Sequence, residues 1–559
     1  MSSRSNSPRF SLSENESSDS GDHPLGERSI EGSDSEASEN SGSDRQVSEP
    51  SDNSDSDRRR GKRNRHASPV FDESSPKRRR RGGRIRKPAV DVITALPDAL
   101  ILHVLSFLPI KDAIKTQVLS KRWLHLWTYI PSLVFLRESD SSDTSVRDFV
   151  TFVDRTLFLC TCSKLKKLGF QFAYETDYAS NVNLWTRFAT GRGAEELQLD
   201  FYHYNMYEDH NNMYEDDSYL LPQLLYTNSS FKTLKFSVCK VIPKGVVCWN
   251  SLKKLSIGYA ELSEDVIEKI LAGSPVLEIL ELYAFYGFDR LHVSNASVKK
   301  LILRDVWEHE EEYPTDGYHS VLEVSAPHLH SLEISGDLCD KICRLGDISS
   351  LVDANLNFDM TLYRDRANEH IRFENTLRGL LQSLVHVKKI TLGTFAIQVL
   401  SMMEAKGLRS ALLNCEFLAL DTSIRKSLLP GIANILESSP ILETLVIIEP
   451  SSPCAEYFRP ELTGLHNFDE NSYWTSKRKP LKCLMLRLQE VKFISLGRYD
   501  HDCDFHLSFA QFLLKNARVL QKMVIDLEML SRNWPKEFVR AARKLSSFAR
   551  SSPNAVVLF

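Results

Sequence analysis

The residues best equipped for chemistry are few and poorly grouped. His501, Asp502, Cys503, Asp504 and His506 bring imidazole, thiolate and carboxylate into one short run, all of them zinc-ligand types. Neighbours this close cannot all converge on one ion, and no second ligand pair follows at a zinc-site spacing, so a polar loop is expected there. His309-Glu310 begins like a helical zinc-protease motif, but Tyr313 stands where the second His is required. Gly191-Arg192-Gly193 opens like a dinucleotide loop, yet Glu196 occupies the third glycine position, and no phosphate loop ending in Gly-Lys-Ser or Gly-Lys-Thr is present. Cys160 and Cys162 have one residue between them rather than two, so they read as structural thiols. No catalytic site, no metal and no cofactor is expected.

The elements that would have had to position such a site are instead elements of recognition. From about Leu165 the chain of 559 residues repeats an L-x-x-L-x-L theme. Copies include Leu165 to Phe170, Ala194 to Leu199, Phe231 to Phe236, Leu252 to Ile257, Leu277 to Leu282, Val298 to Leu303 and Leu329 to Ile334. Later copies are Val387 to Leu392, Cys415 to Leu420 and Leu442 to Ile447, and most neighbours lie about 21 to nearly 40 residues apart. Alternating apolar positions predict a short strand with one buried face, followed by a more variable return; Ser263 to Leu271 reads as a helical one. One unit cannot cover its own apolar face, so neighbours must stack into a solenoid of parallel strands and helices.

Ahead of the repeats, Asp91 to Leu133 is the densest apolar stretch, and it predicts three short helices. Pro97 opens the first, which carries Leu100, Ile101, Val104, Leu105 and Leu108 and stops at Pro109. Asp112 can cap the second, with Ile114, Val118 and Leu119; Ser120 can cap the third, with Trp123, Leu124 and Trp127. A segment of roughly 40 residues seldom buries so large a load alone, so a partner is implied. For Trp123 and Trp127, four apart on one helix face, core packing and partner contact stand open together.

Residues 1 to about 57 are rich in Ser, Asp, Glu, Asn and Gly and predict disorder. The charge then reverses. Arg58, Arg59, Arg60, Lys62 and Arg63 form one basic cluster; Lys77, Arg78, Arg79, Arg80 and Arg81 form a second beyond a polar spacer. This is the pattern of a bipartite nuclear localisation signal for an importin, with nucleic-acid attraction or a solvated charge run as the alternatives. The formal net charge of -4 hides this asymmetry. No apolar run approaches the roughly 18 residues needed to cross a bilayer, and the start of the chain has no apolar signal region. With 42% hydrophobic residues and 10 scattered cysteines, we expect a soluble intracellular protein with reduced thiols.

Leu96-Pro97-Asp98, Leu105 to Pro109, Lys111-Asp112-Ala113 and Leu119-Ser120-Lys121-Arg122-Trp123 together resemble the F-box of plant F-box proteins. The small-x-Pro pattern at Gly273-Ser274-Pro275 and Ser438-Ser439-Pro440 is similar to the plant leucine-rich-repeat variant, and the segment from about Phe458 resembles the C-terminal FBD region of the same proteins. The implied organisation is a tail at 1–90, an F-box at 91–133, leucine-rich repeats at 134–457 and an FBD region at 458–559 that caps the solenoid. The resemblance implies docking on the Skp adaptor and, through it, on cullin and RING subunits, with Leu96, Pro97, Leu100, Ile101, Val104, Leu105, Leu108 and Trp123 as adaptor contacts. It further implies a non-catalytic receptor for a protein target; the basic clusters lead us to expect it in the nucleus, and neither membrane nor nucleic-acid binding is expected. A nuclear scaffold acting outside the ligase is the rival, and it leaves the F-box unexplained.

Overall fold

The computed structural model describes residues 96–137, 145–203, 217–306, 320–339, 341–360, 369–450, 473–476, 481–496 and 504–558. Both basic clusters, His309, Tyr313 and residues 501–503 therefore lie outside the described residues. The dominant element is one parallel sheet of 15 strands in unbroken chain order. It begins with Ser132–Leu136, Lys167–Ala173, Glu196–Tyr202, Thr233–Ser237, Lys254–Glu261, Ile279–Tyr286 and Lys300–Val306. It continues through Ser331–Asp337, Asp353–Asp359, Lys389–Gly393, Phe417–Asp421 and Thr444–Ile448 to Glu490–Ile494, Lys522–Ile525 and Val556–Leu558. The expected α/β solenoid is thus the observed one.

The register shows why the leucine theme generates this sheet. Leu197 pairs with Leu168 and Leu234, Leu255 with Leu280, Leu301 with Leu332, and Leu418 with Leu445, so equal motif positions sit side by side. Burial alternates strictly along Glu196–Tyr202, with Leu197, Leu199 and Phe201 inside. Two neighbours therefore complete what one strand cannot, and the core is a continuous apolar ladder.

Five strands of the large sheet fall outside the quoted motifs. Ser132–Leu136 follows Ile130-x-x-Leu133-x-Phe135 and carries the end of the presumed F-box directly into the sheet. Asp353–Asp359 fills the long interval between Leu329 and Val387; its middle core position is Ala354, which hid it. Val556–Leu558 forms the sheet edge beyond the last motif. The region after Phe458 continues the same sheet with Glu490–Ile494 and Lys522–Ile525, and Leu481 to Leu486 leads into it as a short helix, Lys482–Leu486.

The returns differ in structure. Glu264–Ala272 is the helix expected, capped by Ser263 accepting from the Val266 N–H, with Glu264 and Asp265 against the helix dipole and Ile267, Ile270 and Leu271 inside. Other returns are not helical. Arg290–His292, Val321–Ser325 and Ile342–Leu345 form a second parallel sheet instead. Residues 287–299 must travel back the length of a strand, and extended backbone covers about 3.3 Å per residue where a helix covers about 1.5 Å.

Five adjacent strands share a strained position. Val238, Tyr259, Ala284, Asp305 and Gly336 all have φ between 46° and 75°. Gly258 pairs with Tyr283 and Ala260 with Phe285, so Tyr259 and Ala284 are neighbours; Asp305 is flanked in the same way. Left-handed backbone at non-glycine residues costs roughly 1–2 kcal/mol each, so the packing of the ladder must hold it in place.

Asp337 and Asp359 pair at the ends of their strands. Burial, and then the Asp337 charge, push the Asp359 carboxyl up to about 6. A raised carboxyl favours folding while protonated; that contribution is complete below the ordinary value of about 3.9 and is lost as pH rises through about 6. Asp359→Asn should therefore raise the melting temperature above pH 7 by about 1–3 °C and leave it unchanged near pH 4 relative to the parent, as read by calorimetry across that range.

Candidate functional site

The amino-terminal module packs around a compact core. Helix α1 spans Asp98–Leu105 after Pro97, and α2 spans Ile110–Lys115 after Pro109. Pro109, and not Asp112, occupies the cap of α2, because the proline lacks the N–H that would need a partner there. The expected third helix is absent as such. Residues 121–125 form turns that lead into a short 3-10 helix, Leu126–Tyr129.

Two kinds of apolar residue separate in this module. Ile101, Leu105, Ile110, Ala113, Trp123, Leu126, Trp127 and Ile130 are buried together. Leu100 and Val104 are each 50% exposed, Leu108 is 40% exposed and Phe107 75% exposed, and their spacing puts them on the outer side of α1 and its continuation. A helix apolar on both sides needs two covers, and the module supplies one. Val118, Leu119 and Leu124 add further exposed apolar surface after α2.

Among the expected adaptor contacts, Leu100, Val104 and Leu108 are thus on the surface, with Pro97 exposed and Leu96 half-buried. Ile101, Leu105 and Trp123 are corrected to core residues: they hold the outer residues in place and do not reach a partner in this structure. Phe107, Val118, Leu119 and Leu124 are exposed apolar residues beyond that expected set, and their place off the buried stripe was a usable signal. Arg122, beside Trp123, donates from Nε to Asp98 Oδ1 at 2.8 Å and from its terminal nitrogen to the Leu96 carbonyl. The charged residue of that motif ties the start of α1 to the turn segment.

The tempting chemical groups do not assemble. Asp504 is held well below the usual carboxylate range by its hydrogen bond from Lys544, aided by Arg540, while His506 is buried near Glu449, its Nε2 accepting from the Ile424 N–H. Gly191 ends the helix Ala179–Gly191, and Gly193 has φ +59°, so this stretch is a helix terminus. Cys162 donates to the Lys164 carbonyl, and burial pushes the Cys160 thiol up, the opposite of what a reactive thiol needs. Among the described residues, no group of His, Cys, Asp and Glu could hold a metal ion, and no helix is long and apolar enough to cross a membrane.

The outer positions of the large sheet carry charge. Lys235 donates to Asp200 at 2.8 Å, Lys254 lies 3.3 Å from Glu281, and Arg304 bridges Glu281 and Glu333 at 3.6 and 3.0 Å. Lys235, Lys254, Glu281 and Arg304, with Ser256 and Tyr283, line a cavity of about 520 Å³ on the sheet face. Gly258 makes room for it: a Cβ there would meet the Tyr283 ring at 2.0 Å.

A docking module with one uncovered apolar face, leading into a parallel leucine-repeat solenoid with a polar strand face, defines a class of recognition protein. Comparison with known proteins agrees. The F-box domain matches residues 93–135, the LRR repeats of FBD-associated F-box protein At5g56370 match residues 182–355, and the FBD matches residues 476–525. The putative F-box/LRR-repeat protein At3g18150 of Arabidopsis thaliana is 30% identical over 456 residues, covering 79% of this chain and 88% of the relative. F-box/LRR-repeat protein At5g02910 of the same plant is 30% identical over 444 residues, 78% and 88% of the two chains. The putative F-box protein At1g49610 of Arabidopsis thaliana is 32% identical over 367 residues, 64% and 84% of the two. The chain belongs to the plant F-box/LRR-repeat family with a C-terminal FBD.

The division between core and surface has a direct consequence for stability. Leu105→Ala should cost about 2–5 kcal/mol in denaturant unfolding of the module, because a cavity opens in its core. Leu100→Ala should stay within about 0.5 kcal/mol by the same measurement, since half its surface is already in water.

Proposed function

We propose that this chain is the substrate-recognition subunit of a Skp–cullin–F-box ubiquitin ligase. The observation that carries the reading is the outer face of α1 and its continuation: Leu100, Val104, Phe107 and Leu108 lie uncovered on a module whose inner face is already filled. Burying one such side chain stabilises a complex by roughly 1.5–3 kcal/mol, so a few of them suffice to anchor the Skp adaptor. The cullin and RING subunits then attach through the adaptor. The solenoid holds a protein target, and its contribution to ubiquitin transfer is proximity: the target's lysines are kept near the charged conjugating enzyme while the chain performs no bond chemistry itself.

The module is built into the solenoid rather than hung from it, since Ser132–Leu136 is the first strand of the large sheet and the Thr161 N–H donates to the Thr128 carbonyl at 2.9 Å. Such a junction supports a fixed distance between adaptor and target. The two basic clusters support import into the nucleus: joined by a polar spacer, they can occupy two acidic subsites of an importin at once, each raising the effective concentration of the other.

Leu100→Asp combined with Val104→Asp should abolish capture of the chain by immobilised Skp adaptor while the melting temperature stays within about 2 °C of the parent. Retained capture would sink the receptor reading. Leu105→Asp should also lose capture, but with loss of the module's cooperative unfolding, which separates support from contact. Replacing Arg58, Arg59, Arg60, Lys77, Arg78, Arg79, Arg80 and Arg81 by Gln should move a fluorescent fusion from nucleus to cytoplasm under the microscope; unchanged nuclear signal would remove the import proposal.

A further inference from the structure

The cavity on the outer face of the large sheet has features that the packing of the solenoid does not require. Across the strands Thr233–Ser237, Lys254–Glu261, Ile279–Tyr286 and Lys300–Val306, its charges are layered by depth. On the lining, the side chain of Glu281 is 13% exposed and that of Glu196 34%; Asp200 and Glu333, which pair with lining cations from beside the cavity, are each 18% exposed. Their basic partners stand higher, with Lys235, Lys254 and Arg304 at 34%, 43% and 44%. An incoming ligand meets ammonium and guanidinium groups first.

Those groups are paired but not used up. A lysine has three donors and an arginine five, so each cation retains donors after binding its floor carboxylate. Glu196, also on the lining, is occupied by Lys167 at 3.5 Å, and the Asp305 carboxylate accepts the Asp337 N–H at 3.0 Å. A second kind of observation points into the same cavity. Ser256 is 3% exposed, and its hydroxyl lies on the lining without a hydrogen-bond partner in the chain. A buried hydroxyl left unsatisfied costs about 1–3 kcal/mol, so its persistence at a cavity wall marks a place where a ligand atom completes it.

The rim of this cavity also coincides with the strained ladder, since Tyr283 and Arg304 immediately precede the left-handed Ala284 and Asp305. Left-handed backbone ends the regular pleat and so sets where these side chains project. Tyr283 lies across Gly258, and its ring centre is 5.7 Å from Lys235 Nζ, which holds one rim cation over an aromatic floor. At about 520 Å³ the cavity falls inside the range of roughly 300–1,000 Å³ that suits a few side chains or one small ligand.

The geometry points to an acidic peptide segment of a protein target as the occupant of this cavity, its carboxylates seated on Lys235, Lys254 and Arg304 and one acceptor completing the Ser256 hydroxyl. This deepens the receptor reading and rests on it.

The test is fluorescence anisotropy with the full chain and a labelled polyglutamate peptide, beside a Gly-Ser peptide, a polylysine peptide and a single-stranded oligonucleotide of matched length. Polyglutamate should bind more tightly than all three, and its affinity should fall as salt is raised. Lys235→Gln with Arg304→Gln should weaken it about tenfold or more, a loss of about 1.4 kcal/mol. Ser256→Ala should weaken it about fivefold with no change of charge, while the melting temperature of the free chain holds or rises because an unsatisfied hydroxyl is removed. Equal binding of the neutral or cationic peptide, tighter binding of the oligonucleotide, or indifference to both the charge variant and Ser256→Ala would overturn the inference. So would loss of peptide binding only when Arg58 to Arg60 and Lys77 to Arg81 are neutralised, because the tail would then be the binder. Adaptor capture is measured on the same preparations: its failure in the parent chain sinks the receptor reading, whereas its persistence alongside absent peptide binding sinks only the assigned occupant.

Discussion

Everything in this protein depends on neighbouring apolar strands lying in the same register. A single L-x-x-L-x-L unit buries only half of each core side chain, and the adjacent strand supplies the rest. Leu280 is covered by Leu255 on one side and Leu301 on the other. Because equal positions stack on equal positions, the polar residues between the leucines are also forced into rows on the outer face. The polar outer face of the sheet is thus a by-product of the packing that holds the fold together.

The same constraint explains how the ends of the solenoid are used. At its start the large sheet takes its first strand from the end of the F-box, so the docking module shares the solenoid's core and needs no linker. At its far end the FBD region adds strands to that sheet, with the Trp474 ring stacked on Phe512 4.6 Å away and the helix Pro535–Ser547 tied to Asp504 through Arg540 and Lys544. Between them, the returns are free to be helix or strand, because only the register of the inner strands must be kept.

The docking module shows how one composition serves two roles. Its α1 helix, DALILHVL, is apolar almost throughout, and counting apolar residues cannot say which side faces inward. Trp123 and Arg122 decide this: the indole fills the core, and the guanidinium bonds to Asp98 and to the Leu96 carbonyl, which sets the rotation of α1 and leaves Leu100, Val104 and Leu108 outside.

The sequence by itself determined the order of modules and the strand positions of most repeats, because those follow from local periodicity and from the identity of neighbours along the chain. Asp353–Asp359 escaped because Ala354 interrupts the leucine pattern while still fitting the core between Leu332 and Ile390. What only the tertiary structure decided is which of two apolar faces is covered, which charges pair across strands, and how the buried Ser256 hydroxyl meets the cavity below the cations. Each of these joins residues far apart in the chain, such as Asp98 with Arg122 or Glu281 with Arg304, and no local pattern carries the distance between them.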